Sequence, residues 1–235
     1  MVNAESRNDK RSYLIIGQGR LSKHLQFYFQ SLRTPFLTWD RRQSQNDLEL
    51  KVQGSTHILL VISDDSLKSF FETHLVNKNK TVIHFSGSFS DARMMSCHPL
   101  MTFSESLFPP EFYSKLYFAV TGVSSVQDLF PEWLNPSFEI SLGDKSLYHA
   151  WCVLSAAGTQ QIWLAAEQTL SSLGVPKSAF HLYLGQILEN FQKDGRSGLT
   201  GPWVRNDQNT IKNNLHALDH TKSQKVYEIL MGGLT

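Results

Sequence analysis

The sequence predicts an α/β domain with a doubly wound, mostly parallel sheet, followed by an all-helical C-terminal domain. Short apolar segments alternate with segments of helical periodicity as far as residue 142. One apolar segment, residues 57–62, is nonpolar at almost every position, which is typical of a strand covered on both faces. After residue 143 the pattern of strands stops. We therefore expect one domain over residues 12–142 and a second over residues 143–235.

The strands are predicted from short apolar runs that end at polar or turn-forming residues. They cover residues 13–16, 36–39, 57–62, 81–85, 117–120 and 138–140. One helix is predicted after the first strand, another after the third strand with Ser63 at its N-terminus, and a short one at 127–134. Residues 1–11 are expected to form a disordered polar tail. Residues 86–103 are rich in Ser, Gly, His and Pro and are expected to be a functional loop.

The C-terminal domain is predicted to hold three helices. The first runs over residues 144–173 and stops at Gly174 and Pro176, because glycine followed by proline ends a helix. The second is expected at 177–193 and the last from about residue 207. The domain carries more large apolar side chains than its own small core has room for, so we expect a homodimer through this half. Those side chains include Trp151, Ile162, Trp163, Leu182, Tyr183 and Leu184.

Composition limits the class of protein. Hydrophobic residues make up 41% of the 235 residues and charged residues 18%, as in an ordinary globular protein. A formal net charge of +1 gives no general attraction to nucleic acid or to an anionic membrane, and neither partner is expected. The polar N-terminus lacks the apolar stretch of a signal peptide, and no apolar run reaches the length of a membrane span. We therefore expect a cytoplasmic protein.

Residues 17–22 read GQGRLS, a GxGxxS variant of the dinucleotide-binding sequence GxGxxG. The first glycine permits a tight turn, and the second lets the backbone approach a pyrophosphate at the N-terminus of the following helix. Because a strand precedes the motif and a helix follows it, we interpret the first domain as a Rossmann-type domain that binds a nicotinamide dinucleotide. The alternative is a glycine turn in a domain that has lost its ligand. The residues expected to contact the cofactor are Gly17, Gln18, Gly19, Arg20 and Leu21.

The end of the second predicted strand bears on which dinucleotide is bound. Asp40 lies 23 residues after Gly17, near the position where an acid holds the ribose hydroxyl in NAD-binding proteins. Arg41 and Arg42 follow, and a guanidinium group there can bind the 2′-phosphate of NADP through two hydrogen bonds. We expect NADP, with NAD less favoured, because two adjacent fixed cations outweigh one acid that pairs with them. For both arginines the alternative is a solvated surface loop.

The residues after the third and fourth predicted strands are also candidate ligand contacts, since ligands of open α/β sheets bind at the carboxyl ends of strands. Ser63, Ser86 and Gly87 are assigned to the cofactor, and His98, farther along the same loop, to the substrate. No metal site is expected, because the histidines and the cysteine of this region are not spaced as zinc ligands. A serine hydrolase is not indicated either, since no G-x-S-x-G sequence occurs.

In combination, these motifs resemble those of the DUF2520 family of Rossmann-like proteins. The resemblance begins at the strand–GxG–helix segment and continues through VISDD at 61–65, HFSG at 84–87 and CHPLMTF at 97–103. In the second half, DKSLYHA at 144–150 resembles that family's K-x-x-Y-H-A helix start. LTGPWVRND at 199–207 resembles its L-T-G-P-x-x-R-G-D turn. The resemblance covers nearly the whole chain after residue 12.

The resemblance implies an NADP-dependent oxidoreductase whose substrate is unassigned. The family is similar to pyrroline-5-carboxylate reductase, ketopantoate reductase and 6-phosphogluconate dehydrogenase, which pair a Rossmann domain with a helical domain that often dimerises. Two departures from the family pattern bear on catalysis. A Ser-Asn pair about seven residues after the family's histidine corresponds here to Ala156 and Ala157, and Asn206 stands in place of the glycine before Asp207.

Lys145 and His149 are the residues expected to manage the proton that accompanies hydride transfer. They lie four apart on one face of the long helix, whose start faces the nicotinamide cleft in a Rossmann-plus-helical architecture. Of the two residue types, histidine has the ordinary pKa closer to neutrality. The alternatives are an exposed lysine at a domain junction and a hydrogen-bonded core histidine. Arg205 is expected either to bind a substrate anion or to pair with Asp207.

The function expected from the sequence is therefore an NADP-dependent oxidoreductase that transfers a hydride to or from a small carbonyl or imine compound. An NADP(H)-binding sensor or regulatory protein without turnover is the alternative, which Ala156 and Ala157 favour. A Rossmann-type domain that binds nothing is the third interpretation.

Overall fold

The computed structural model describes residues 11–233, so nearly all of the predicted polar tail lies outside the described residues. Within them, seven strands form one sheet. The strands are β1 (Tyr13–Ile16), β2 (Phe36–Trp39), β3 (His57–Leu60), β4 (Thr81–His84), β5 (Met95–Pro99), β6 (Phe118–Thr121) and β7 (Ser137–Glu139). Their order across the sheet is β2-β1-β3-β4-β5-β6-β7. All neighbouring pairs are parallel except β5 and β6, which are antiparallel.

Helices connect the strands and then make up the rest of the described chain. They are α1 (Arg20–Ser31), α2 (Gln45–Gly54), α3 (Asp64–His74), α4 (Pro110–Tyr113), α5 (Lys145–Val153), α6 (Thr159–Ser172), α7 (Lys177–Asp194), α8 (Pro202–Arg205), α9 (Gln208–Ala217) and α10 (Lys222–Met231). None of the described helices has both the length and the apolar character needed to cross a membrane.

Both faces of the sheet are covered by apolar side chains. Tyr13 and Ile15 of β1 belong to one buried cluster, which also takes in side chains of α1. Leu14 and Ile16 belong to a second cluster on the other face, with side chains of α2 and α3. All four residues of β1 are no more than 3% exposed. A sheet buried on both faces, followed by helices, confirms the predicted fold class.

The order of the strands determines where a ligand is expected. The chain passes from β1 outward to β2 and then returns to place β3 on the other side of β1. The connections that leave the carboxyl ends of β1 and β3 therefore run in opposite directions, and a crevice forms between them. The segments that follow β1, β2, β3 and β4 all lie at this edge of the sheet.

Two predictions for the first half were wrong. The predicted loop 86–103 contains strand β5, which pairs with β4 on one side and β6 on the other. Its Ser, His and Pro residues interrupt the apolar run from which a strand is predicted. Ser96 and Cys97 are nevertheless almost fully buried. No helix was predicted after the second strand, yet the polar segment there forms helix α2, which buries Leu48 and Val52.

Two of the predicted helices also differ from those observed. The short helix expected at 127–134 is a single 3₁₀ turn, Val126–Asp128. The last helix is broken in two: His220 has a φ of +59°, and Thr221 caps the N-terminus of α10 by accepting a hydrogen bond from the Gln224 amide at 3.2 Å. The apolar spacing continues through the break, which is why periodicity alone predicts one helix.

The chain divides into two compact units, one ending at Gln160 and one beginning at Gln161. The change from strands to helices comes earlier, between Glu139 and Lys145. From Lys145 to Ser172 the backbone is helical throughout, with a π-helical stretch at Leu154–Gly158 between α5 and α6. The predicted domain boundary at 142/143 coincides with this change in secondary structure. As a boundary between two domains, it stays a prediction.

Candidate functional site

A cavity of about 730 Å³ opens at the carboxyl ends of β1, β2, β3 and β4. It lies in the N-terminal unit, where the strand order reverses. Its walls come from the segments that end or follow those four strands, with aromatic side chains from β2 and α3. The lining includes Gly17, Gln18, Gly19, Arg20, Leu21, Trp39, Asp40, Arg41, Ser63, Asp64, Phe70, His74 and Ser86.

The two glycines of the GQGRLS motif have different surroundings. Gly17 has a φ of +125°, and a Cβ atom there would stand 2.1 Å from the carbonyl oxygen of Val61, so only glycine fits. A Cβ atom on Gly19 would meet no atom within 4 Å. Ser22 is fully buried and its hydroxyl donates a hydrogen bond to the Gly17 carbonyl at 2.7 Å. Gly17 and Ser22 therefore hold the turn, while Gly19 leaves room for a ligand to approach the backbone.

The N-terminus of α1 is suited to an anion. Gly19 is its N-cap residue, no side chain caps the helix, and its first turn carries no acidic residue. The first N–H groups of a helix have no intrahelical partner, and the helix dipole adds partial positive charge at this end. The cavity-lining residues Arg20 and Leu21 belong to this first turn. The end of the helix therefore offers donors and favourable potential to a phosphate.

The three residues after β2 do not act alike. Asp40 and Arg41 line the cavity, whereas Arg42 does not. Arg42 is bound to Asp40: its Nε donates to Oδ1 at 2.8 Å and its Nη2 donates to Oδ2 at 2.9 Å. Hydrogen bonding from Arg42 lowers the pKa of the Asp40 carboxyl to about 2. Of the two arginines predicted to meet a phosphate, Arg41 is therefore placed to do so and Arg42 is engaged elsewhere.

The ends of β3 and β4 are joined through Asp64. Its Oδ2 accepts hydrogen bonds from the hydroxyls of Ser86 at 2.6 Å and Ser88 at 3.0 Å. The Ser86 hydroxyl also accepts from the backbone amides of Ser88 and Phe89, so its hydrogen-bonding capacity is used within the protein. Ser63 lines the cavity beside Asp64. Ser86 therefore shapes the cavity wall and holds the turn that follows β4.

Lys145, the first residue of α5, is buried rather than exposed at a junction. It is 2% exposed, and its Nζ donates to the Ser86 carbonyl at 3.0 Å and to the Ser96 hydroxyl at 2.6 Å. Burial lowers the pKa of Lys145 to about 8. Burial also lowers the pKa of neighbouring His84 to about 3, and the charge of Lys145 acts in the same direction. Lys145 therefore connects the start of α5 to the turn after β4 and to the first residues of β5.

His98, Tyr148 and His149 lie together against the turn after β4. The Nδ1 of His98 is 2.9 Å from the Tyr148 hydroxyl, and the rings of His98 and His149 have centroids 5.6 Å apart. A Cβ atom on Gly87 would stand 2.4 Å from Cδ2 of His149, so that turn is in direct contact with it. Burial lowers the pKa of His98 to about 4, which leaves this imidazole neutral at pH 7. The cluster is thus adjacent to Ser86 and the cavity.

The second half of the chain matches a known family. Residues 117–232 fit the family model described as Domain of unknown function (DUF2520). Residues 117–232 of this chain are therefore similar to the DUF2520 family. The resemblance inferred from the sequence motifs is thereby confirmed. No curated protein sequence matches the chain.

Solved structures share the fold. A protein of Bacteroides fragilis, provisionally named an NADP oxidoreductase, is 18% identical with a TM-score of 0.71 over 94% of this chain and 96% of its own. A protein of Thermotoga maritima is 18% identical with the same TM-score, over 94% and 95% of the two chains. An imine reductase of Myxococcus stipitatus, in complex with NADP⁺, is 14% identical with a TM-score of 0.63, over 94% and 92%. At these identities the similarity establishes the fold alone.

One predicted site residue, Arg205, belongs to the C-terminal unit. It ends α8 and is paired with Asp207, whose Oδ2 accepts from its Nε at 3.0 Å and its Nη2 at 2.8 Å. This is the pairing that the sequence left open as the alternative to anion binding. Asn206 between them has a φ of +58°, a left-handed conformation that asparagine tolerates better than most residues. Replacement of the family's glycine by Asn206 is therefore compatible with the turn.

The other departure from the DUF2520 pattern, at Ala156 and Ala157, lies on the exposed surface. Ala156 and Ala157 lie in the π-helical stretch Leu154–Gly158, and both are exposed. Neither offers a side-chain donor or acceptor in place of the family's Ser-Asn pair. The structure thus accounts for Asn206 but supplies no substitute at these two positions.

Three residues of the site were not singled out by the sequence. Asp64 occurs only within the VISDD segment, Ser96 lies in the predicted loop, and Tyr148 belongs to the family motif without a predicted role. Asp64 and Ser96 become recognisable only when strands β3, β4 and β5 are set side by side. For Tyr148 the motif itself held a signal, since it places a tyrosine between the lysine and the histidine. Within residues 11–233, no three His, Cys, Asp or Glu side chains cluster as metal ligands would.

Proposed function

We propose that this protein binds NADP(H) in the cavity at the N-terminus of α1 and transfers a hydride to or from a small carbonyl or imine compound. The observation that carries the proposal is the arrangement around that cavity of a tight glycine turn, an uncapped helix N-terminus and Arg41. The glycine turn and the helix N-terminus suit the pyrophosphate of NADP(H), and Arg41 suits its 2′-phosphate.

The residues present fit such a cofactor. The pyrophosphate would meet the backbone between Gly17 and Leu21, where the space beside Gly19 is open. Arg41 would face the adenosine ribose. The rings of Trp39, Phe70 and His74 line the same cavity and suit a planar base. In this proposal the GQGRLS segment, Arg41 and Ser63 keep the cofactor-binding roles predicted from the sequence.

Structural neighbours support the choice of cofactor and reaction class. The Myxococcus stipitatus imine reductase is in complex with NADP⁺. A reductive aminase of Aspergillus terreus, 13% identical with a TM-score of 0.62, is in complex with NADPH and ethyl levulinate. The fold shared with these enzymes makes a carbonyl or imine substrate the first class to test.

A nicotinamide cofactor, when bound, supplies or accepts the hydride, so this chain has to orient the substrate and manage one proton. We assign the proton to His149, which contacts Gly87 beside the cavity-lining Ser86. Neutral His98, placed by the Tyr148 hydroxyl, would offer a hydrogen bond to the substrate. Lys145 is buried, and we propose that it acts by holding the Ser86–Gly87 turn against His149 rather than by donating a proton itself.

An NADP(H)-binding sensor without turnover is the second candidate. The observation that favours it is the exposed Ala156–Ala157 pair, which cannot orient a substrate by hydrogen bonds. The two candidates share the cofactor site and differ in whether chemistry follows binding. Turnover of NADPH with a panel of small carbonyl and imine compounds separates them, because a sensor binds NADPH tightly and consumes none.

A thermal-shift experiment tests the cofactor assignment. NADPH should raise the melting temperature more than NADH at equal concentration, since a ligand that binds only the folded state stabilises it by mass action. Equal shifts would contradict the NADP preference. Absence of a shift with either dinucleotide would contradict the proposed function as a whole and favour a fold that binds neither.

We also propose a homodimer formed through the helical half. Of the apolar side chains predicted to need a partner, Leu184 is half-buried, but the others are 36% exposed or more. Leu182 is 77% exposed and Tyr183 62%, which is unusual for helix residues without a covering surface. Light scattering at micromolar concentration should give twice the mass of one chain; a monomer would contradict the proposal. A cytoplasmic location stays a prediction from the sequence.

A further inference from the structure

We propose that Arg42 controls the choice between NADP(H) and NAD(H) without touching the dinucleotide, by occupying the carboxylate of Asp40. The inference rests on the proposed function, because it concerns the cavity wall that would meet the adenosine ribose. Both residues follow β2, and in dinucleotide-binding folds the end of this strand is where the ribose is recognised. Of the two, Asp40 lines the cavity and Arg42 does not.

The carboxylate of Asp40 is almost fully committed to Arg42. Its Oδ1 accepts from Arg42 Nε at 2.8 Å and from the Arg42 backbone amide at 3.0 Å, and its Oδ2 accepts from Nη2 at 2.9 Å. A carboxylate has about four lone-pair positions, so these three bonds leave little capacity for a ligand. The Asp40 side chain is 13% exposed and that of Arg42 72%, so the arginine approaches the acid from solvent.

A free carboxylate at this position would have two effects on ligand choice. It would accept hydrogen bonds from the ribose hydroxyls of NAD(H), and its charge would repel a 2′-phosphate. The bidentate guanidinium of Arg42 suppresses both effects, because it fills the acceptor positions and balances the charge. The Asp40 carboxyl is ionised at neutral pH, and hydrogen bonding from Arg42 lowers its pKa further, so the pair is maintained there.

Arg41 is then the arginine left for the phosphate. It lines the cavity, and among the described residues its guanidinium has no hydrogen bond or ion pair. The two adjacent arginines therefore have separate roles: Arg41 attracts NADP(H), and Arg42 prevents Asp40 from recognising NAD(H). If each guanidinium group simply added to the positive potential of the cavity, Arg41 and Arg42 would have equal effects on the affinity for NADP(H).

The affinity for NADH distinguishes this role of Arg42 from direct contact with the phosphate. In Arg42→Ala the freed carboxylate should raise the affinity for NADH by about tenfold and lower that for NADPH by about tenfold. In Arg41→Ala the affinity for NADPH should fall by a similar factor, with no change for NADH. If Arg42 contacts the phosphate directly, Arg42→Ala lowers the affinity for NADPH and leaves that for NADH unchanged.

The experiment is isothermal titration of the full chain with NADPH and with NADH, without substrate. Asp40→Ala/Arg42→Ala should lose the gain in NADH affinity, since no carboxylate remains to accept the ribose hydroxyls. Arg93→Ala is the matched control: Arg93 pairs with Asp91 two residues before it through the same Nε and backbone bonds, at 2.8 and 3.0 Å, outside the cavity lining. It should change neither affinity.

The outcomes separate this inference from the proposed function. Wild-type protein that binds NADPH, with no gain in NADH affinity in Arg42→Ala, overturns the role of Arg42 alone. A gain that persists in Asp40→Ala/Arg42→Ala also overturns it, because the gain would then not come from Asp40. Wild-type protein that binds neither dinucleotide overturns the proposed function and this inference with it. A single cooperative melting transition without ligand in each of Arg42→Ala and Arg93→Ala shows that both variants fold.

Discussion

The backbone of Gly87 lies directly against the imidazole ring of His149: a Cβ atom at position 87 would stand 2.4 Å from Cδ2 of that ring. The same atom would stand 3.0 Å from Nε2 of His98. The residue before Gly87 is Ser86, whose carbonyl accepts a hydrogen bond from Lys145. The turn after β4 and the start of α5 are therefore fitted to each other, and glycine is required at position 87 by contact.

Gly87→Ala should disturb this fit at a residue that does not itself line the cavity. The added methyl group must displace His149 or the turn, so we expect a loss of stability of about 1–3 kcal/mol in urea denaturation. Turnover should fall by about tenfold or more, while the dissociation constant for NADPH stays nearly unchanged. Gly54→Ala is the control, since a Cβ atom there meets nothing within 4 Å. Unchanged stability and turnover in Gly87→Ala would mean that the contact positions nothing.

Much of the first domain could be predicted because its signals are local. The apolar runs of β1 to β4 and the glycine turn after β1 are each contained in a few residues, and the structure places them as expected. Strand β5 could not be predicted in this way. It is held by pairing with β4 and β6, and its sequence of Met, Ser, Cys, His and Pro resembles a loop until both partners are known.

A cavity at the ends of the strands could be expected from the sequence, because ligands of such sheets bind where strands end, and the roles of its residues stay predictions. What could not be predicted is which polar groups satisfy one another. Lys145 and His149 share a helix face. Yet Lys145 is 2% exposed, and its Nζ donates hydrogen bonds to the Ser86 carbonyl and the Ser96 hydroxyl. Likewise, the sequence places Arg41 and Arg42 side by side, and only the structure shows that Arg42 is bound to Asp40 while Arg41 lines the cavity.

The two motif glycines should respond differently to alanine. Gly17→Ala brings a Cβ atom to 2.1 Å from the Val61 carbonyl at a φ of +125°, so we expect a loss of more than about 3 kcal/mol of stability or failure to fold. Gly19→Ala should fold normally, because its Cβ meets no protein atom within 4 Å, but should bind NADPH at least about tenfold more weakly. Urea denaturation and NADPH titration measure the two effects. Full NADPH affinity in Gly19→Ala would contradict the proposed approach of the pyrophosphate.

Lys145 should make stability depend on pH in the alkaline range. Its pKa is about 8 in the folded protein against 10.5 for an ordinary lysine, so between these values the unfolded chain binds more protons. Stability contributed at this residue is therefore lowest below pH 8 and increases up to about pH 10.5, by at most about 1.4 kcal/mol per pH unit. Urea denaturation of wild type and Lys145→Met at pH 7 and pH 9.5 tests this. A difference between the two proteins that does not change with pH would mean that Lys145 keeps its ordinary pKa.

His149→Ala tests the proposed proton transfer. If His149 exchanges the proton with the substrate, turnover should fall by about a hundredfold or more, the usual range for a general acid, with NADPH affinity nearly unchanged. Its ring is partly exposed, so the variant should remain folded. His216→Ala, which removes an exposed histidine of α9, should leave turnover unchanged.

If His149→Ala instead lowers the melting temperature while turnover per folded molecule is intact, His149 is a structural residue that fills the space beside Gly87. The proton must then come from another group in the cluster, and Tyr148→Phe is the variant that would lose activity in its place.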